Sequence, residues 1–318
     1  MKKDSKIYIA GHTGLLGSAL IKKLGQKGFN NIITRTHKEL DLTRYDEVKL
    51  FFRKNKPEYV FLAAGKTGGI IANRTYPYHF LHVNIAIQNN IFEVANEYNV
   101  KHLVFYGSSC IYPRLSSQPI KETDLFSGKI EESSEGYAVA KIAGLIACKA
   151  YNTQFNANRF IALVPNTMFG PNDHYNINYS HVLPSLITRF HIAKENKAEK
   201  IVLWGSGTPR REFIFSEDVA DASIFAVKHS KKLENKYYNV GTGFDISIED
   251  LANMIASAVG YSGKIYWDKS MPEGAPRKLL DSNQFMSLGW KHSVTLEEGL
   301  SQAYQWFLNV NEKSKESI

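Results

Sequence analysis

Short runs of β-branched and aromatic residues alternate with longer amphipathic stretches through the first half of this chain. The short runs are typical of buried strands and lie at residues 6–10, 31–36, 59–63, 102–106 and 159–164. The longer stretches carry apolar residues at helical spacing and lie at residues 15–26, 45–54, 80–98 and 137–155. Because strands separated by helices pair in parallel through right-handed crossovers, this pattern predicts a doubly wound α/β sheet. Ligands of such sheets bind at the carboxyl ends of the strands.

The chain changes character near residue 170. Its 318 residues exceed one typical domain, and beyond that point prolines and glycine-rich turns separate shorter elements. We expect residues 1–170 to form the main sheet and residues 171–318 to form mainly a smaller α/β domain that caps it. Helices are predicted at residues 216–229, 247–259 and 296–307, and some of this second half is expected to fold back onto the first sheet.

Three glycines, Gly11, Gly14 and Gly17, follow the first predicted strand and open the first predicted helix, with Leu15 and Leu16 between the last two. Glycines here permit a tight turn and a close backbone approach to a pyrophosphate at the positive end of the helix dipole. A glycine-rich turn without a ligand is the alternative. Because the motif lies in the first βαβ unit, we predict a Rossmann-type dinucleotide site, although the spacing is G-x-x-G-x-x-G rather than G-x-G-x-x-G.

The end of the second predicted strand indicates which dinucleotide is preferred. Arg35 stands where an acidic residue would bind a ribose 2′-hydroxyl. A guanidinium suits a 2′-phosphate, so the sequence favours NADP over NAD. Glu39 and Asp41 lie near enough to leave NAD open, and a surface arginine without a ligand is the structural alternative.

A tyrosine and a lysine, Tyr137 and Lys141, lie four residues apart and share one face of a predicted helix. A nearby ammonium favours phenolate, so we expect Lys141 to lower the pKa of Tyr137 and let the phenol exchange a proton with a substrate oxygen. Tyr45 and Lys49 have the same spacing but no polar strand end precedes them. Ser108 follows the fourth strand and can hold a carbonyl oxygen beside Tyr137, which separates the functional pair from the accidental one.

Composition excludes several other classes of protein. The formal net charge is +8, but the basic residues are scattered without interleaved aromatics, so no nucleic-acid partner is expected. Eighteen apolar residues never run together and the first residues lack a secretory apolar core, so we expect no membrane segment and a cytoplasmic location. Cys110 and Cys148 cannot build a disulfide framework or a zinc site, and no metal is expected.

These motifs resemble the extended short-chain dehydrogenase/reductase family, and the resemblance covers nearly the whole chain. Within that family it is nearest to the branch that epimerises and reduces GDP-4-keto-6-deoxymannose, as in GDP-L-fucose synthesis. The matching runs are IAGHTGLLGSAL at the start, GSSCIYP at 107–113, AKIAG at 140–144, SHVLP at 180–184, WGSGTPRREF at 204–213, NVGTG at 239–243 and PRKLLD at 276–281. Such long runs are more specific than the glycine motif alone.

The resemblance implies roles for individual residues. Ser108, Tyr137 and Lys141 would be the reductase triad, with Tyr137 protonating O4 while hydride from NADPH reaches C4 and Lys141 binding the nicotinamide ribose. Cys110 and His181 would be the acid/base pair that inverts C3 and C5, although a buried thiol and a helix-terminal histidine are the structural alternatives. Cofactor contacts are further expected at Asp41, Leu42, Ala63, Pro165 and His181. GDP-sugar contacts are expected at Ser108, Ser109, Cys110, Tyr137, Arg189, Trp204, Arg211 and Asp281.

The resemblance also implies NADP(H) binding by residues 1–170, nucleotide-sugar binding mainly by residues 171–318, and a homodimer joined through two helices of each chain. Departures from the family pattern lie around the sugar, at residues 63–70, 135–141 and 165–171 and at Tyr179. A buried polar group left unpaired costs about 1–3 kcal/mol, so such exchanges can change the sugar accepted. The alternatives are therefore a reductase of a GDP-4-keto-heptose without epimerisation, a nucleotide-sugar 4-epimerase that retains NAD, and a non-catalytic NADP-responsive regulator.

Overall fold

A computed structural model describes residues 1–177, 179–271 and 274–315 of the chain, with side chains to residue 311. The strands are β1 (Ile7–Ala10), β2 (Ile32–Arg35), β3 (Tyr59–Leu62), β4 (His102–Tyr106), β5 (Phe160–Pro165), β6 (Thr167–Phe169), β7 (Lys200–Trp204), β8 (Arg210–Arg211), β9 (Phe213–Phe215), β10 (Tyr237–Val240), β11 (Ile246–Ser247), β12 (Lys264–Asp268) and β13 (Arg277–Lys278). The helices are α1 (Leu15–Gln26), α2 (Tyr45–Asn55), α3 (Ile70–Thr75), α4 (Pro77–Glu97), α5 (Glu135–Gln154), α6 (Val182–Glu195), α7 (Ser216–Lys228), α8 (Ile248–Val259), α9 (Asn283–Met286) and α10 (Leu296–Lys315).

Six parallel strands form the main sheet in the order β10-β5-β4-β3-β1-β2. The register of β1 places Ile7 opposite Ile32 of β2 and opposite Tyr59 of β3. Strands β1 and β3 lie side by side; the chain proceeds outward from β1 to β2 on one side and from β3 to β4 and β5 on the other. Ligands of such sheets bind at this switch point between β1 and β3. The doubly wound α/β fold that the strand and helix pattern predicts is therefore confirmed.

Helices cover both faces of this sheet because alternate strand residues point to opposite sides. On β1, Ile7 and Ile9 pack in the core formed with α1 and α7, whereas Tyr8 and Ala10 pack in the core formed with α2, α4 and α5. Both faces of the strand are thus apolar, as a buried parallel strand requires.

A second layer is built from short sheets and three helices. Strands β7 and β12 pair in parallel, β8 lies between β11 and β13, and β6 pairs with β9. Helices α6, α8 and α10 enclose a separate apolar core with these strands. Ser247 begins α8 by accepting a hydrogen bond from the Asp250 amide (3.0 Å), and Gly260 ends it with φ 78°.

Two segments that come after residue 170 lie with the first layer. Strand β10 pairs with β5 in the main sheet, and α7 packs beside α1 in the core on one of its faces. The division of the chain into two domains near residue 170 stays a prediction. In the described part of the chain, no helix is both long and apolar enough to cross a lipid bilayer.

Candidate active site

A cavity of about 1080 Å³ opens where the carboxyl ends of β1 to β5 face the second layer. Its walls come from the loops after these strands, from the first turns of α1 and α6, and from the ends of β7, β8 and β13. Pockets for drug-sized ligands have volumes of roughly 300–1,000 Å³, so this cavity is at the large end of ligand sites.

The glycine turn forms one end of the cavity. Gly11 has φ 81°, and a Cβ added there would lie 2.6 Å from the amide nitrogen of Ala64, so a side chain is excluded. Gly14 begins α1 without a side-chain cap, and the first turn of that helix holds no acidic residue. Its free N–H groups and positive dipole end therefore fit a pyrophosphate.

Most residues expected to contact the cofactor line the same cavity. They are Gly11, Gly14, Leu15, Leu16, Arg35, Asp41, Leu42, Ala63 and Pro165. Gly17 does not line the cavity. A Cβ added to Gly17 would instead collide with the carbonyl group of Gly11 behind the turn. Gly17 therefore permits the turn to close and does not itself form a wall of the cavity.

Arg35 lies at the cavity end of β2. This is the position at which the sequence predicts a contact with the ribose 2′-substituent of the cofactor. The two acidic side chains near it are engaged by their own loop. Glu39 accepts hydrogen bonds from the Thr36 amide and hydroxyl (both 2.7 Å), and Asp41 accepts them from the Thr43 amide (2.9 Å) and hydroxyl (2.7 Å). The cationic group at this end of the cavity thus fits a phosphate better than a free hydroxyl.

Ser108, Tyr137 and Lys141 meet beneath the middle of the cavity. Ser108 follows β4 and hydrogen-bonds the Tyr137 side chain, which projects from α5. One turn further along α5, Lys141 lies with its ammonium nitrogen 5.7 Å from the centroid of the Tyr137 ring. That nitrogen also donates a hydrogen bond to the Tyr106 carbonyl (2.9 Å), which fixes its position. The structure therefore brings the three predicted side chains together.

The charge states of this group differ from the expectation. Burial raises the pKa of Tyr137, and only the Ser108 hydrogen bond opposes that rise. Lys141 is not among the groups that shift the pKa of Tyr137, and burial lowers its own pKa to about 8. The expected lowering of the Tyr137 pKa is thus wrong. Tyr137 is a neutral phenol, which is the protonated form that a proton donor needs.

Cys110 and His181 both line the cavity. Cys110 lies in the short turn after Ser108, and burial raises the pKa of its thiol. His181 precedes α6 and its side chain is exposed in the cavity; desolvation by the surrounding cavity walls, followed by the charges of His174 and Lys278, lowers the pKa of its imidazole. At neutral pH this pair therefore consists of a thiol and a neutral imidazole.

The second layer supplies polar and aromatic side chains to the far end of the cavity. Arg189 of α6 lies with its guanidinium carbon 5.5 Å from the centroid of the Trp204 ring, at the end of β7. Arg211 of β8 and Ser109 line the same space. Two guanidinium groups and an exposed indole face suit a diphosphate and a nucleobase.

Asp281 is the predicted substrate contact that the structure does not bring to the cavity. Its carboxylate accepts a hydrogen bond from the Asn283 amide (3.0 Å) at the start of α9, and its own amide donates to the Ile120 carbonyl (2.8 Å). A local turn thus occupies this side chain. Three residues earlier, Lys278 of β13 lines the cavity instead.

Lys278 is the functional candidate that the sequence reasoning missed. Lys278 lies within the run at residues 276–281 that resembles the family, and this resemblance is the sequence feature that could have identified it. Its position depends on the pairing of two strands of two residues each, and strands this short have no detectable hydrophobic period.

The fold and cavity are those of a dinucleotide-dependent enzyme with a second ligand site, and the comparisons with known proteins agree. Residues 7–241 match the model of the NAD dependent epimerase/dehydratase family. GDP-L-fucose synthase 1 of Arabidopsis thaliana is 48% identical over 306 residues, which cover 96% of this chain and 94% of that protein. GDP-L-fucose synthase of Escherichia coli (strain K12) is 44% identical over 315 residues, which cover 97% of this chain and 98% of that protein.

Among solved structures, a GDP-mannoheptose C4 reductase from Campylobacter jejuni with NADP bound has a TM-score of 0.89. It is 40% identical, and the match covers 97% of this chain and 99% of that one. The chain belongs to the NAD dependent epimerase/dehydratase family, and the resemblance drawn from its sequence motifs is confirmed.

Proposed function

We propose that this protein is an NADPH-dependent enzyme that reduces C4 of a GDP-4-keto-6-deoxyhexose and epimerises C3 and C5 of the same sugar. One observation carries the proposal. Ser108, Tyr137, Cys110 and His181 face a single cavity that also contains the glycine turn at one end and Arg189 at the other. Its relatives named GDP-L-fucose synthase support the choice of sugar.

The cofactor end of the cavity would hold NADP(H). The amides of the first turn of α1 would bind the pyrophosphate, Arg35 the 2′-phosphate, and Lys141 the nicotinamide ribose. When bound, this cofactor supplies the hydride that a ketone carbon accepts. Every other requirement of the reduction falls on the side chains of this chain.

The reduction needs a proton at O4 of the sugar. Tyr137 carries one because burial keeps it a phenol, and the Ser108 hydroxyl can hold O4 beside it. Lys141, whose ammonium nitrogen lies 5.7 Å from the centroid of the phenol ring, would hold the nicotinamide ribose next to this proton donor. The arrangement thus brings the hydride donor and the proton donor to the same carbonyl group.

Epimerisation needs a proton acceptor on one face of the sugar and a proton donor on the other. The C4 ketone acidifies the protons on C3 and C5, and Ser108 and Tyr137 can stabilise the enolate oxygen by hydrogen bonds. The neutral imidazole of His181 and the thiol of Cys110 provide one acceptor and one donor in the resting protein.

A panel of substrates tests this proposal. NADPH is offered with GDP-4-keto-6-deoxymannose and with GDP-4-keto-heptoses in deuterated water, and the products are identified by NMR. We expect NADPH to be consumed with the deoxyhexose, and solvent deuterium to appear at C3 and C5. Consumption without label at either carbon would leave a reductase and remove the epimerase half, and no consumption with any member would contradict the proposal.

A GDP-4-keto-heptose is the second candidate substrate. Thr67 lines the cavity at one of the positions where the sequence departs from the family pattern, and its hydroxyl could bind an additional sugar hydroxyl. The similarity to the heptose C4 reductase supports this candidate as well. Faster turnover of a heptose than of the deoxyhexose, without label at C3 or C5, would favour it. NAD retained after purification and denaturation would favour a 4-epimerase instead.

We further propose that the enzyme is a cytoplasmic homodimer. Helices α4 and α5 pack against each other and expose apolar side chains, among them Tyr78 (64% exposed) and Ile146 (44% exposed). Both cysteines are free thiols, which suits a reducing compartment. Light scattering of the purified protein tests the dimer, and a mass of one chain would contradict it.

A further inference from the structure

Lys278 lies on the cavity wall because of a short strand pairing. Strand β13 runs parallel to β8, with Lys278 opposite Arg211 and Arg277 opposite Arg210. Successive strand residues point to opposite sides, and both Lys278 and Arg211 line the cavity. Arg210 and Arg277 both bind the Asp245 carboxylate instead. The register of this pairing therefore determines that the Lys278 and Arg211 side chains line the cavity, whereas those of Arg210 and Arg277 do not.

A buried carboxylate holds this register. Glu212 follows Arg211 in the chain and is fully buried. It accepts hydrogen bonds from the amides of Thr242 (2.6 Å), Gly243 (2.7 Å) and Leu280 (2.9 Å). The bond from Leu280 ties β8 to the residues directly after Lys278, so Lys278 is fixed relative to the cavity.

The ammonium of Lys278 has no hydrogen-bond or ion-pair partner among the described residues, and it lines the cavity with Cys110 and His181. Lys278 interacts electrostatically with both of them and with Glu131 and Arg211. A cation without a counter-ion that shares a cavity with two proton-exchanging groups affects the pKa of both.

We infer that Lys278 is a positioning residue for the epimerisation, whose ammonium sets the charge states of Cys110 and His181 and takes no part in the reduction at C4. This inference rests on the proposed function. It deepens that proposal by assigning control of the two proton-exchanging groups to a third side chain from the second layer.

Electrostatics supports this role. Burial raises the pKa of Cys110, and the charge of Lys278 is the largest influence that lowers it again, ahead of the Ser108 hydrogen bond and the charge of Lys141. His181 faces His174 and Lys278, and both lower the pKa of its imidazole. Lys278 thus makes the Cys110 thiol a stronger proton donor and keeps the His181 imidazole unprotonated as an acceptor. Its own pKa is lowered by burial, which Cys110 and Glu131 oppose.

The test measures the thiol directly. Cys110 is alkylated with iodoacetamide across a range of pH in a C148S background, in wild type, K278Q, K278M and K278R. Without the cation the thiol pKa rises, so the profile of K278Q and K278M should move to higher pH. A shift of about one pH unit gives about tenfold slower alkylation near neutral pH. K278R keeps the charge and should react like wild type.

The matched control is R277M, which removes a positive charge on the same strand but from a side chain bound to Asp245. It should leave the alkylation profile unchanged. Thermal melting and NADPH binding identify the variants that fold, and either K278Q or K278M suffices. An alkylation profile like that of wild type in a folded, uncharged variant would overturn the inference, as would an equal shift in R277M.

A second readout uses the sugar. Without NADPH, the wild type should exchange solvent deuterium into C3 and C5 of GDP-4-keto-6-deoxymannose, and K278Q should do so at least about tenfold more slowly with little change in KM. A raised KM with normal exchange at saturation would show that Lys278 binds the diphosphate and would overturn the inference. If the wild type shows no exchange, the epimerase proposal fails, whereas the alkylation result still decides what Lys278 does to Cys110.

Discussion

Tyr137 shows how its surroundings decide the state of one side chain. The phenol is enclosed between α5 and the strand end that carries Ser108, and burial keeps it protonated. The Tyr-x-x-x-Lys spacing correctly places the ammonium of Lys141 beside the ring. The spacing could not reveal the direction of the pKa change, because desolvation depends on every element packed around the pair.

Removal of the phenol hydroxyl should stop the reaction without removing the cofactor. We predict that Y137F lowers kcat for NADPH-dependent ketone reduction by about 10²–10⁴-fold, since general acid catalysis contributes about that much. NADPH affinity, measured by fluorescence titration, should stay close to that of wild type. The matched control is Y45F, since Tyr45 and Lys49 have the same spacing and the same distance of 5.7 Å from ammonium to ring centroid. Turnover by Y137F at the rate of Y45F would disprove the role of Tyr137.

Lys141 should make cofactor binding depend on pH. Its lowered pKa of about 8 means that the side chain is charged below that pH and neutral above it. The affinity of the free enzyme for NADPH should therefore weaken as the pH rises through 8, because the ammonium expected at the nicotinamide ribose is lost. NADPH titrations at pH values on either side of this pKa measure the effect. The control variant K49M should show the same pH dependence as wild type. An affinity that does not change across this range would count against a charged Lys141 at the cofactor.

The elements of the first layer follow from local sequence, whereas several of the second layer do not. Strands β1 to β5 are short, apolar and bounded by helices, so their period and their neighbours predict them. Strand β10 was not predicted, because its place beside β5 depends on a pairing between distant segments. Helix α6 was not among the predicted helices, although a helix terminus at His181 was one of the alternatives and agrees with its start at Val182. Strands β8 and β13 are too short for any pattern to reveal the wall that holds Lys278.

The turn between β1 and α1 gives a prediction for an element. G17A should lower NADPH affinity at least about tenfold and destabilise the fold by about 1–3 kcal/mol, because the new Cβ would collide with backbone atoms of the turn. G25A is the matched control, since Gly25 lies in the same helix and a Cβ there meets nothing within 4 Å. It should be neutral or stabilise by about 0.5–1 kcal/mol. Calorimetry measures both quantities, and equal behaviour of the two variants would contradict the account of the turn.

In the whole molecule, the two layers contribute different parts of one cavity. The main sheet provides the glycine turn, Ser108, Cys110 and the face of α5, and the second layer provides Arg189, Trp204, Arg211 and Lys278. Strand-end and helix motifs predicted the glycine turn, Ser108 and the face of α5, whereas the role of Cys110 came from the family resemblance. Most of the second-layer residues were predicted from the family resemblance. The resemblance also predicted Asp281, whose side chain does not line the cavity and is hydrogen-bonded at the start of α9.

In the proposed function this cavity delivers hydride to the ketone carbon of a GDP-linked sugar, and the roles of the other side chains depend on that transfer. The most direct measurement uses NADPH with both hydrogens at C4 of the nicotinamide ring replaced by deuterium, with GDP-4-keto-6-deoxymannose, and locates deuterium in the product by NMR. We predict one deuterium at C4 of the sugar for each NADPH consumed. A product without deuterium at C4, or NADPH consumed with the 4-keto sugar unchanged, would contradict the account.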